Sequence, residues 1–205
     1  VVTYRVRIDL KGTRPPVWRR LELASDLNLA EVHDIIQRAF GWTNSHLHGF
    51  GSGPGYYGPD TEHYLCPFEE EEGKDGIPEA KVRLDEVLAD VGDKLFYVYD
   101  FGDDWQHIIK LEAVLRRDDH TQRAVCTRGR RPGPAEDCGG VYAYELTAAA
   151  TDLDDPDHAG AAAAFDRYYG SNVDPEVLST TAFDIDEINS ELARLGLGRP
   201  LAGSG

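Results

Sequence analysis

The sequence predicts an α+β fold, an antiparallel-sheet roll with one helix after the first hairpin and a helical C-terminal part. Three observations carry this expectation. Strand-like alternation recurs up to about residue 126, helical spacing replaces it from about residue 141, and the strands are joined as hairpins by short polar turns. The expected organisation is a single domain over 1–196, strand-rich over 1–126 and helix-rich over 141–196. A disordered tail is expected over 197–205.

The first strand is written in the alternation of Tyr4, Val6, Ile8 and Leu10 against Arg5, Arg7 and Asp9. Gly12 to Pro16 supplies a turn, and Val17 to Leu23 a second strand. Arg19 falls on the same face as Val17, Leu21 and Leu23, so its guanidinium is expected to reach a sheet edge or a carboxylate. Asn28 with Glu31 three residues on is a capping box. Leu29, Val32, Ile36, Ala39 and Phe40 follow at helical spacing, and Gly41 is placed to end the helix in a left-handed conformation. His46, Leu47, His48 and Phe50 read as the start of a short strand.

From Gly51 to Gly76, dense Gly and Pro and the run Glu69 to Glu72 predict a long, mobile acidic loop. Order resumes at Lys81, with a helical turn near Asp85 to Leu88. A central hairpin then sets Leu95, Tyr97 and Tyr99 on one face of its first strand, and Trp105, His107, Ile109 and Leu111 on one face of its second. Phe101-Gly102-Asp103-Asp104 forms its turn, with Gly102 expected to take the positive φ. Arg123 to Cys126 is a short return strand, and 127–140 reads as a loop rich in Arg, Gly and Pro. Helices are expected from Tyr142 to Ala150, within Pro156 to Tyr169, and after Asp184. The last would be capped by Asp184 and Glu187, stapled by Phe183 on Ile188, and ended by Gly196.

The 205 residues carry 21 basic and 37 acidic side chains, a net charge of −16. Nucleic-acid binding is therefore disfavoured as a class. Two segments run against the trend: 1–23 and 113–131 each hold six basic and two acidic residues. No apolar run nears the ~20 residues of a membrane span, so no membrane partner is expected. Three cysteines without paired spacing argue against a disulfide framework and fit a reducing, cytoplasmic location.

Four segments together resemble one family. Leu29 to Phe50, in the pattern Leu-x-x-Val-His-x-Ile-Ile-Gln-x-Ala-Phe-Gly-Trp-x-Asn-x-His-Leu-His-x-Phe, is similar to the first signature of the plasmid Ri open-reading-frame-three-like family, also known as insertion-element passenger proteins of a "TnpR" type. Tyr99-Asp100-Phe101-Gly102-Asp103-Asp104-Trp105 with His107, Ile109, Leu111 and Glu112 resembles the second. Glu136-Asp137-Cys138-Gly139-Gly140 and Phe183-Asp184-x-Asp186-Glu187-Ile188-Asn189 resemble the third and fourth. The resemblance covers residues 3 to 194. It implies a compact α+β roll carried on plasmids, mobile elements or chromosomes, and no particular chemistry. No Ser/Arg constellation supports recombinase activity. Where the family's loop often reads Cys-Pro-Pro-Glu-Asp-Cys, this chain has Gly133 in the first position, which argues against a thiol pair or a two-cysteine metal site.

The residues capable of chemistry gather around the central hairpin and the Glu136 loop. Asp103, Asp104, His107 and Glu136 are the catalytic candidates, since grouped carboxylates and imidazole can divide acid and base roles. Asp100, Asp103, His107, His46 and Asp137 (with His48 nearby in sequence) are the metal-ligand candidates. No motif predicts a cofactor, and a divalent metal is the one these ligand types would take. Turn formation and core packing compete for the same residues. Cys138 follows two acids, which would raise its thiol pKa and disfavour a nucleophilic role. Trp42, Tyr56, Tyr57, Arg130 and Arg131 are the candidates for a partner surface. The leading expectation is an accessory or interaction protein that binds a protein partner. The alternatives are a metal-dependent hydrolase-like enzyme and a nucleic-acid binder using Arg5, Arg7, Arg19, Arg20 and the Arg128 to Arg131 loop.

Overall fold

The structure is a computed structural model that describes residues 1–178 and 182–197. Of the tail expected over 197–205, all but Leu197 lies outside the described residues. In chain order the elements are β1 (Thr3–Leu10), β2 (Val17–Ala24), α1 (Leu29–Phe40), β3 (His48–Ser52), β4 (Glu62–Leu65), α2 (Pro67–Glu71), β5 (Ile77–Pro78), a 3₁₀ turn (Glu79–Lys81), α3 (Leu84–Val87), β6 (Lys94–Tyr99), β7 (Trp105–Leu115), β8 (Ala124–Arg130), α4 (Gly140–Thr151), α5 (His158–Tyr169), α6 (Pro175–Leu178) and α7 (Ile185–Arg194). The fold is α+β. One eight-stranded sheet has the order β5-β4-β3-β6-β7-β1-β2-β8. Every neighbouring pair is antiparallel except β4 and β5.

Alternation makes one face of this sheet the core. Val6, Ile8, Val17, Leu21, Tyr97, Tyr99, Trp105, Ile109 and Leu111 are essentially fully buried, in one cluster with the apolar stripe of α1 and with Ile188 and Leu192 of α7. The α1 boundaries follow the local rules. Asn28 accepts from Glu31 N, Glu31 reaches back to Asn28 N, and Gly41 closes the helix at φ 81°. A smaller apolar cluster, built on Ala150, Ala161 and Phe165, joins α4 and α5.

Four sequence expectations change. The 51–76 stretch is not one loop, for it folds as β4 and α2 on the sheet's β3 edge. Tyr64 and Leu65 supply the burial that orders it, while the glutamates stay outside. The return strand β8 continues to Arg130, so Arg128 and Arg130 are strand residues. Gly129 pairs with Arg19 there, and a Cβ on it would stand 2.6 Å from the Phe183 ring, so the residue that looks like a loop breaker admits α7 instead. Asn189 clasps the same strand, donating to Cys126 O at 2.9 Å and accepting from Cys126 N at 2.7 Å. In the central hairpin the positive φ falls on Asp100 and Asp104, both at 54°, and not on Gly102.

Arg19 is the fourth correction. Among the described residues it pairs with no carboxylate, and it meets the edge strand β8 only through the Arg130 carbonyl. Its guanidinium is buried between Phe40 and Phe183, with Nε donating to Ala39 O and Nη1 to the carbonyls of Trp18 and Arg130. A cation at the carbonyl end of α1 complements that helix's dipole.

Candidate functional site

Three loops meet at one end of the sheet: 41–47 between α1 and β3, 100–104 between β6 and β7, and 131–139 between β8 and α4. Trp42 anchors the first to the third, its Nε1 donating to Pro134 O at 2.9 Å. Glu136 accepts from Thr43 N at 2.8 Å, Thr43 Oγ1 at 3.1 Å and Tyr99 Oη at 2.9 Å. Asp100 N donates to Leu47 O, and Asp103 Oδ2 accepts from Gly139 N at 2.9 Å. Among the described residues, every non-glycine with positive φ lies in these loops: Asn44, Asp100, Asp104, Arg131 and Asp137. Asn and Asp tolerate the left-handed region better than other side chains, but it still carries strain, and such strain concentrates where loops are held for a purpose.

The chemical centre of the junction is His46. Its Nε2 lies 3.1 Å from Asp137 Oδ1, 3.8 Å from Asp100 Oδ2 and 3.9 Å from Glu136 Oε2. That nitrogen is shielded from solvent and makes no hydrogen bond, since the near Asp137 oxygen is out of line. One donor atom each from His46, Asp100 and Asp137 fall within 4.8 Å of one another. A cation with bonds of about 2.1–2.2 Å sets its ligands roughly 3–4.4 Å apart, so a small contraction would close this group around an ion. The Asp137 side chain is 76% exposed, which leaves the group open on one side.

The other candidates are placed elsewhere. Asp103 is taken up by the α4 entry, and Asp104 accepts from Tyr57 Oη at 2.7 Å and Gln106 Nε2 at 2.6 Å. His107 does not join the group. It is 1% exposed and packs on Phe40, Trp42 and Tyr97. The backbones of Trp105 and Tyr97 approach its ring without hydrogen-bond geometry. Burial above all holds its pKa down to about 3. Cys138 is a buried thiol pushed up to about 12, first by burial and then by the Asp103 carboxylate, so the acid next to it in sequence is not the main cause. Burial is also the chief reason the Tyr99 phenol is raised, and the Glu136 carboxylate adds to it.

The partner-surface candidates divide. Trp42 is 2% exposed and offers no surface, because its ring is stacked into the core between Phe40 and Tyr99. Arg131 is drawn to Glu145 at 2.9 Å and lies over the Tyr144 ring. Arg130 is exposed at the end of β8. Tyr57 is exposed, Tyr56 half-buried, and both sit by the hairpin turn, with Tyr56 6.2 Å from Phe101. Among the described residues, carboxylates pair with Arg123 and Arg131 of the 113–131 segment and with three arginines of the 1–23 segment. Arg5 pairs with Glu22, Arg7 with Asp9, and Arg20 with Glu112.

Sequence reasoning missed a buried polar network beside this junction. His33 and His48 stack at 3.5 Å between ring centroids. His48 Nε2 meets both Glu79 oxygens at 3.0 Å, while His33 bonds Tyr97 Oη at 2.8 Å and Asn44 Oδ1 at 2.9 Å. The only signal was His33 beside the α1 stripe; Glu79 sits in a stretch with no local sign of burial.

This chain is similar to known proteins. An uncharacterised protein of Sinorhizobium fredii, y4hQ, is 35% identical over 156 residues, spanning 75% of this chain and 74% of its own. The crystal structure of a protein of unknown function from Methanosarcina mazei Go1, MM3350, superposes with a TM-score of 0.66 at 25% identity, covering 91% of this chain and 96% of that one. The described residues contain no helix long and apolar enough to cross a membrane. The family model of plasmid pRiA4b ORF-3-like proteins matches residues 2–190, with the three converging loops inside it, and the chain belongs to that family.

Proposed function

We propose that this protein is an interaction module whose docking face is the three-loop junction, and that one divalent cation held by His46, Asp100 and Asp137 fixes that face. The observation that carries the reading is the shielded, unbonded His46 Nε2 among three carboxylates from two other loops, Asp100 of one and Glu136 and Asp137 of the next. An imidazole nitrogen in such a place lacks the partner that buried polar atoms normally have, and a cation supplies it. One imidazole with two or three carboxylates suits Zn²⁺ or Mn²⁺ better than the all-oxygen preference of Ca²⁺ or Mg²⁺. The partner reading has its own support. Of the exposed large apolar side chains, Tyr57, Phe101, Tyr142 and Tyr168 all flank the junction. Tyr142 and Tyr168 are 5.7 Å apart, and Tyr168 stands over Gly139. Exposed aromatics of this kind anchor protein interfaces.

The test is calorimetric titration of metal-free protein with Zn²⁺ and Mn²⁺, with a melting curve of each state. Saturable binding with a raised melting temperature is expected, lost in His46→Ala. The absence of binding at millimolar metal, or equal binding by His46→Ala, overturns the reading. A hydrolytic role is the second reading, and it rests on Glu136. Tyr99 and Thr43 orient this carboxylate beside the ligand group; a cation held by His46, Asp100 and Asp137 would acidify water there, and Glu136 would be the base in reach. Hydrolysis of an activated ester by the loaded protein, abolished in Glu136→Gln with metal affinity kept, would favour that role.

A further inference from the structure

A second site lies on the far side of the Pro132 loop and makes no use of the metal ligands. Here the carbonyl end of α1, the 132–133 segment and the start of α7 line a half-open cavity of about 270 Å³. Arg19 lines it and is 2% exposed. Three carbonyl oxygens take its Nε and Nη1, but Nη2 has no hydrogen bond, and no carboxylate pairs with the guanidinium among the described residues. Burial lowers its pKa to about 10, so it remains a cation at neutral pH. A buried guanidinium bonded to carbonyls and stacked on rings, with no ion pair, is costly unless a counterion completes it.

The rest of the lining says what kind of counterion fits. Phe40, Pro132, Phe183 and Ile188 make the walls apolar. Arg38 adds a second cation, whereas Asp184, Glu187 and Glu191 bring three carboxylates to the same cavity. Asp184 is committed to capping α7, and Glu191 is paired with Arg194. A polyanion would meet this acidic wall. A single negative charge with an apolar body would not, because its charge lies on Arg19 and its body on the rings. A cavity of about 150 Å³ holds benzene, so the space here suits an acid of one aromatic ring.

We propose that this cavity binds a small monocarboxylate with an apolar body, the carboxylate on Arg19 and the body against Phe40, Phe183 and Ile188. The probe is benzoate, titrated into the full chain by calorimetry and by thermal melting, with benzamide and inorganic phosphate as comparisons. Benzoate is expected to bind saturably and raise the melting temperature. Benzamide, its neutral counterpart, should bind about tenfold more weakly or worse, the cost of a lost charged hydrogen bond. Arg19→Gln, if folded by circular dichroism, should lose the benzoate response. Benzamide binding as well as benzoate, phosphate binding better than benzoate, or an unchanged response in Arg19→Gln overturns the proposal. Should Arg19→Gln fail to fold, Glu187→Gln serves in its place. Removing that wall charge should tighten benzoate binding, and an unchanged affinity overturns the assignment.

Discussion

Asp103 Oδ2 accepts a hydrogen bond from Gly139 N at 2.9 Å, and this contact ties the β6–β7 turn to the entry of α4. The two backbones are close enough that a Cβ on Gly140, which has φ 79°, would stand 2.9 Å from Asp103 O. Asp103→Ala leaves the Gly139 N–H without its acceptor. The expected loss is about 1–2 kcal/mol, toward the low end because water reaches the site. Asp103→Asn, which keeps an acceptor oxygen, should lose less. Urea denaturation of both variants measures this, and equal stability of Asp103→Ala and the parent would show that the loops are joined by other contacts alone.

Local rules read well where the physics is local. The Asn28–Glu31 box, the Gly41 terminus, the Asp184 cap and the buried face that each strand of the central hairpin gives to the core all follow from spacing within a few residues, and the structure has each of them. What the chain could not reveal is set by partners far off in sequence. Arg19 is resolved by the carbonyls of Ala39 and Arg130, β8 is prolonged by Phe183 and Asn189, and Glu79 is buried because His48 meets it. The site itself was half legible. His46, Asp100, Asp137 and Glu136 were named as candidates from residue type, but so was His107, whose place on an apolar face was the sign that it belongs to the core. The Asp and Asn residues in the turns were the available clue to the strained loops, and Gly102 drew attention from them.

Asp100 separates the structural from the metal role. It sits at φ 54°, and its Oδ1 accepts from Gly102 N at 3.0 Å and less closely from Asp103 N. Asparagine tolerates that φ and keeps an amide oxygen for the Gly102 bond. Asp100→Asn should therefore hold its stability within about 1 kcal/mol. It should lose Zn²⁺ or Mn²⁺ affinity by about tenfold or more, since a charged ligand becomes a neutral one. Asp100→Ala should be less stable by about 1–2 kcal/mol, because the left-handed backbone then has no compensating side chain. Unaltered metal affinity in Asp100→Asn would remove Asp100 from the ligand set.

Two buried histidines make stability depend on acid. Burial holds His33 and His107 at about 3, against 6.5 for the free side chain, and the nearby charge of His48 adds to the effect on His33. Their folded pKa values are depressed, so the unfolded chain takes up protons first as pH falls. Stability from this source is complete above about pH 6.5 and declines toward about pH 3, at about 1.4 kcal/mol per pH unit for each histidine. His107→Phe removes one of the two and also removes two unbonded ring nitrogens from the core. The variant should be neutral to about 1 kcal/mol more stable at pH 7. Its stability should fall less steeply than the parent's between pH 6.5 and 5, above the range where most carboxylates titrate. Parallel curves over that interval would mean that His107 takes up its proton as readily in the native state as in the unfolded chain.

The Glu79–His48 pair gives the largest single effect expected. Glu79 is 2% exposed and His48 6%, with both carboxylate oxygens 3.0 Å from Nε2 and the His33 ring stacked on the imidazole. The contact pins the 3₁₀ turn after β5 to the first residue of β3, at the edge of the same loop junction. Removing Glu79 leaves the buried His48 Nε2 without its hydrogen-bond partner, which costs about 1–3 kcal/mol. Glu79→Leu should fall in that range by chemical denaturation, and backbone amides near the 3₁₀ turn should lose protection from hydrogen exchange. The double variant Glu79→Leu/His48→Leu leaves neither group of the pair without its partner, so it should be more stable than Glu79→Leu alone, with a coupling readable in a double-mutant cycle. If the two single changes simply add, the pair is not coupled and the stack of His33 on His48 holds this corner of the fold by itself.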